Sequence, residues 1–184
     1  MLRDKRWGIR SVLLAVTTVA VFALAVQIAF ANHYGGYHLA VLNGHSQATI
    51  WFVDRTDTTW PVTASADEWN RSSRLTVGRR AECPHSGDYC PPVHQVNAPG
   101  YYGRTVRPLN ADFTHISRSG FFVELSTSTP LSRRRSVACH ELGHALGLEH
   151  RLPADSCLRN DSVFPNLPDD HDFNMLYSVY SHTP

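Results

Sequence analysis

Apolar and polar positions follow two rhythms along this chain, separated by stretches with none. Residues 48–53 are a β-branched and aromatic run (Ala-Thr-Ile-Trp-Phe-Val) and predict a first strand. Trp60-Pro61 closes the loop after it. Val62, Ala66 and Trp69 then recur at helical spacing, which predicts an amphipathic helix over 62–72. Short apolar runs at 75–77, 93–96, 101–109 and 120–125 predict further strands. Residues 83–92, with Pro84, Gly87, Pro91 and Pro92, read as a turn-rich loop. The longest helical pattern covers 130–146. A final helix covers 169–180, with Phe173, Leu176, Val179 and Tyr180 at i, i+3, i+6 and i+7. Residues 153–168 between these helices carry three prolines and no period, as a loop would. Residues 32–46, rich in Gly, His and Tyr, read as a mobile N-terminal arm. The order of elements predicts an α/β (α+β) domain over 47–184, and the chain holds no internal repeat.

The start of the chain follows another logic. Arg3, Lys5, Arg6 and Arg10 precede an uncharged, mostly apolar segment, 11–31, that ends in Ala29-Phe30-Ala31. Basic start, apolar run and small-x-small ending describe a signal peptide over 1–31, cleaved after Ala31. The apolar run of about 20 residues would also just span a bilayer, so an uncleaved signal anchor is the alternative. Either way residues 32–184 are expected outside the cytoplasm: secreted in the first case, membrane-anchored in the second. Removing 1–31 takes away four basic residues and one acidic one, which moves the net charge from +1 to −2. Neither value, nor any basic run, suggests nucleic acid. Lys5 is the only lysine, a feature with no functional account.

For an exported chain, four cysteines suggest disulfides. Free buried thiols are the bland alternative, and a zinc site using Cys83, Cys90 and a histidine fits no common module spacing. Of the three possible pairings, Cys83–Cys90 and Cys139–Cys157 are expected because both close short local loops. The second would close about 19 residues and contribute roughly 3 kcal/mol.

Eleven histidines in 184 residues prompt a search for spacing, and residues 140–150 supply one: His-Glu-Leu-Gly-His-Ala-Leu-Gly-Leu-Glu-His. Positions four apart share a helix face, so His140 and His144 can offer nitrogens to one ion. Glu141 then lies beside the first ligand, within reach of a water but not bound to the metal. Gly147 suits the left-handed turn that ends a helix and brings the chain back, so that His150 can supply a third nitrogen. Three protein ligands leave a fourth position open, the mark of a catalytic zinc site.

The pattern HExxHxxGxxH resembles the metzincin metallopeptidases, and most closely the matrixin-like branch with its small secreted bacterial members. The likeness is strongest over 132–180 and weaker over 48–96. It implies a twisted mixed sheet with two long helices, 130–146 and 169–180, one catalytic zinc above them, and a protein or peptide substrate lying along an edge strand. Residues 101–109 are slightly preferred to 120–125 for that edge. It implies a secreted zinc-dependent endopeptidase in which Glu141 is general base and then proton donor to the leaving amine. A zinc-binding but catalytically idle extracellular module is the alternative, and a monomer is expected. Residues 159–170 would border the specificity pocket. No segment matches a long inhibitory pro-segment, a latency thiol, an accessory domain or the structural metal sites of larger matrixins. His85, Asp88 and His94 could form a second site, but a polar loop is the better reading. Arg133, Arg134 and Arg135, at the start of the helix, oppose its dipole. A solvated face is the bland reading, and contact with an acidic substrate the sharper one.

Metzincins carry a methionine turn beneath the metal. Met175, with Tyr177 as a further ligand, is the tempting assignment. The matrixin spacing of eight residues after the third histidine instead gives Leu158. Met175 then falls on the last helix, off its apolar stripe.

Overall fold

The computed structural model describes residues 35–42, 45–152, 155–159, 161 and 164–181. Residues 1–31, expected to be a signal peptide, and the final residues lie outside them. Strands β1 (Ala48–Arg55), β2 (Leu75–Arg80), β3 (Pro92–Val96), β4 (Gly103–Val106) and β5 (Phe122–Ser126) form one sheet in the order β2-β1-β3-β5-β4. β1 pairs in parallel with β2 and β3, and β3 with β5; β4 alone runs antiparallel, on the edge beside β5. The sheet is therefore mixed, and β4 within 101–109 is an edge while 120–125 leads into an interior strand. Ile50 and Phe52 are fully buried on one face of β1, and Thr49 and Val53 are buried on the other. Coverage on both faces suits a strand in a parallel arrangement.

Parallel neighbours need a crossover, and α1 (Val62–Trp69) supplies it between β1 and β2. Val62, Ser65, Ala66 and Trp69 form its buried face. The helix stops at Trp69, short of 72, where the side chain of the next residue, Asn70, accepts the amide of Val77 at 2.8 Å. One amide side chain thus links the end of α1 to β2.

A single 3-10 turn, Leu131–Arg133, leads into α2 (Arg134–Ala145). This helix is buried on nearly every side. Trp69, with no exposure, donates its indole N–H to the Cys139 carbonyl at 2.9 Å and so locks α1 to α2. A Cβ at Gly143 would stand 2.6 Å from the Trp69 ring and 2.8 Å from Leu158 Cδ2, so close packing demands glycine there.

Helix α3 (Asp170–Val179) begins with a capping box between Asp169 and Asp172. Asp172 is fully buried and also accepts from the Ser156 hydroxyl. Phe173 meets the Trp69 ring, and the Tyr180 hydroxyl donates to the Leu146 carbonyl at 2.9 Å. Residues 35–42, within the segment read from sequence as a mobile arm, lie against this body. Leu39 is buried, its amide donating to the Tyr180 hydroxyl, and the Gly35 amide donates to the Gly147 carbonyl. No helix among the described residues is long and apolar enough to cross a membrane.

Candidate metal centre

His140 and His144 lie one turn apart on α2, and the helix ends as the motif requires. Gly147 has φ +92°, the left-handed region that costs glycine little. Its amide donates to the His144 carbonyl at 3.0 Å, and the chain turns back to bring His150 beside the first two histidines. The three Nε2 atoms form a triangle with sides of 3.0, 3.1 and 3.2 Å.

The tautomers show what this triangle can hold. His140 Nδ1 faces the Cys157 carbonyl at 2.6 Å, and His144 Nδ1 faces the Leu148 carbonyl at 2.8 Å. A carbonyl only accepts, so each Nδ1 carries the proton. Burial holds both rings well below the usual histidine range, His140 at about 4, and lowers His150 as well. Neutral rings with Nδ1–H have bare lone pairs on Nε2, and two such lone pairs 3.0 Å apart repel. A cation between them removes the conflict. Bonds of about 2.0–2.1 Å at tetrahedral angles place ligand nitrogens about 3.3 Å apart, close to the triangle observed. Among the described residues, this is the only group of His, Cys, Asp or Glu side chains arranged to hold a metal ion.

Glu141 points toward β4. Its carboxylate accepts the Thr105 hydroxyl at 2.8 Å, and the same hydroxyl lies 2.8 Å from the Glu141 carbonyl. A Cβ on Gly103 would be 2.5 Å from Glu141 Cγ, so the glycine leaves room for the side chain. Burial raises the Glu141 carboxyl to about 7, with the Thr105 hydrogen bond and the Arg107 charge holding it down. A cleft of about 430 Å³ opens beside it, lined by Tyr102, Val137, His140, Glu141, Arg159 and Phe164 among others. Neither Gly103 nor Thr105 was singled out in the sequence, because neither residue type at that spacing signals chemistry.

Disulfides join Cys83 to Cys90 and Cys139 to Cys157. The second links the residue before His140 to the one whose carbonyl orients it. Leu158, the next residue, is fully buried and touches α2 at Gly143. Met175 lies on α3, partly buried against the core. The Tyr177 hydroxyl is taken by Arg74 at 2.8 Å, with the Arg74 guanidinium over its ring.

Packing argues against one alternative and corrects one expectation. Asp88 binds His85 and His45, at 3.1 and 3.0 Å, and His94 is not one of its partners. The three arginines are not a plain solvated face either. Arg133 donates to the Tyr102 hydroxyl and stacks on Phe164, 4.3 Å from its centroid. Arg134 is buried, stacked on Trp60 and bonded to Thr129 and Thr59. Arg135 pairs with Glu68 at 3.7 Å.

No family model and no curated protein matches the chain. Among solved structures it is similar to myroilysin, with 13% identity and a TM-score of 0.48 over 74% of this chain and 94% of that one. A second structure, the crystal structure of myroilysin, aligns at 12% identity and TM-score 0.48, over 83% and 93% of the two chains. Archaemetzincin from Methanopyrus kandleri aligns at 14% identity and TM-score 0.48, over 78% and 100%. Likeness at this level says nothing of activity; the side chains must.

Proposed function

We propose that this protein is a secreted zinc-dependent endopeptidase of the metzincin type, nearest the matrixin-like branch, whose metal is held by His140, His144 and His150. The observation that carries the reading is the meeting of three histidine Nε2 atoms, two of them with bare lone pairs, beside a buried carboxylate, in a cleft along an edge strand. The donor set favours zinc, which takes three imidazoles and keeps a fourth position open. When bound, zinc supplies a Lewis acid for the scissile carbonyl and lowers the pKa of water at that position.

The chain's own groups do the rest. Glu141 is the general base: it receives the proton of the attacking water and delivers it to the leaving amine. Burial raises the proton affinity of the Glu141 carboxyl, which favours its taking up the water proton. The Thr105 hydroxyl binds one carboxylate oxygen and leaves the other for that proton transfer. β4 pairs with β5 along one edge only, so its other edge can accept an extended peptide as an added strand. Tyr102, Val137 and Phe164 give the cleft an apolar wall for one substrate side chain, with Arg159 and Asp161 at its border. Leu158 takes the place of the turn methionine, packing the floor without touching the metal.

Purified protein should carry one zinc per chain and cleave members of a peptide library, and chelator should abolish the cleavage until zinc is restored. Correctly folded protein that takes up no zinc would refute the reading.

A further inference from the structure

Arg107 lies one residue past the end of β4, with its side chain only 11% exposed. Its guanidinium makes three bonds, all to the segment that carries the second and third histidines. Nη1 donates to the His144 carbonyl at 2.5 Å and to the Leu148 carbonyl at 3.3 Å. Nη2 donates to Glu149 Oε1 at 2.7 Å. The Tyr37 hydroxyl donates to the same oxygen at 2.7 Å, and the Tyr37 ring lies 4.8 Å from the guanidinium carbon.

Each acceptor controls something in the centre. The His144 carbonyl is among the last of α2, where a helix leaves its acceptors partly unmet and a cation is favourable. The Leu148 carbonyl is also the one that takes the Nδ1 proton of His144, so whatever fixes that carbonyl fixes the ring. Glu149 immediately precedes His150, so holding its carboxylate anchors the turn that presents the third nitrogen. One planar cation can serve acceptors in three directions because the guanidinium carries five N–H groups in a rigid fork. An ammonium in its place would keep the charge and lose the fork.

We infer that Arg107 is a positioning residue for the metal centre, tying His144 and the His150 turn to the edge strand that faces them. The inference rests on the reading that the three histidines bind zinc. It gives Arg107 no contact with metal or substrate. Loss of such an outer partner typically weakens metal binding about 10–100-fold.

The test uses the purified protein, its Arg107→Met, Arg107→Lys and Tyr37→Phe variants, zinc competition against a chromophoric chelator, and the visible spectrum of each cobalt-substituted form. Melting of the metal-free proteins reports on folding separately. Arg107→Met should bind zinc about 10–100-fold more weakly and shift the cobalt bands. Arg107→Lys should move the same way by less, and Tyr37→Phe by under about threefold, since Arg107 still holds Glu149. If Arg107→Met does not fold, the lysine variant decides. Wild-type zinc affinity and an unchanged cobalt spectrum in the folded arginine variants would overturn the inference while leaving the zinc site intact. A wild-type protein that takes up no zinc would overturn both.

Discussion

Helix α2 and strand β4 lie side by side and serve the centre in opposite ways. α2 offers groups set by its own period: His140 and His144 one turn apart, Glu141 beside the first. β4 and the residue after it offer groups at the period of a strand: Gly103 against the Glu141 side chain, Thr105 on its carboxylate, Arg107 on the His144 carbonyl. Arg104, one residue out of step, pairs instead with Glu124 at 2.8 Å. The helix would hold the metal and supply the base; the strand holds neither and orients both. Chemistry and its orientation are thus encoded in separate stretches, about 35 residues apart in sequence.

The largest expected effect comes from the helix. Glu141→Ala should keep zinc, because the three ligands survive, and lose about 10²–10⁴-fold in kcat, the usual contribution of a general base. Turnover at the wild-type rate would remove Glu141 from its role and leave the helix with metal binding alone.

Acid should also act through the helix. Burial lowers the His140 pKa to about 4 in the fold, whereas an unfolded chain protonates near 6.5. Between those values the unfolded state binds more protons, so stability is full above about 6.5 and falls as pH drops toward 4. For His140 alone the loss from pH 7 to pH 5 is about 1–2 kcal/mol in metal-free protein. Urea midpoints of Glu141→Gln protein, which lacks the opposing effect of the raised Glu141 carboxyl, measured with chelator at the two pH values check this; equal midpoints there would contradict it.

The smallest effect tests the strand. Thr105→Val keeps the shape and removes the donor to Glu141. It should lower kcat about tenfold, near 1.4 kcal/mol, with KM for peptides little changed, and Thr105→Ser should recover most of the loss. A rise in KM with kcat intact would mean that Thr105 binds substrate and does not position the base.

The motif at 140–150 was legible because its meaning is local. A helix puts residues four apart on one face whatever surrounds it, and glycine at 147 permits the turn that ends it. The strands and the last helix were legible for the same reason. Asp169 and Asp172 sharpen the start of α3 through a capping box built from neighbouring residues. Short loop closure also suggested the two cysteine pairs found in the structure. The end of α1 was less legible: it stops at Trp69, where Asn70 reaches across to Val77, a bond the helical pattern does not reveal.

By itself, then, the sequence determined the candidate ligand set, the candidate base and most of the elements, since each follows from backbone periodicity and residue chemistry within a few turns. Only the tertiary structure decided which strand lies at the edge beside the helix, why position 143 must be glycine, and where the arginines go. It also decided that Gly103, Thr105 and Arg107 meet the metal segment. Those outcomes depend on which surfaces close-pack and which buried polar groups must find partners across the fold, and no local pattern records either.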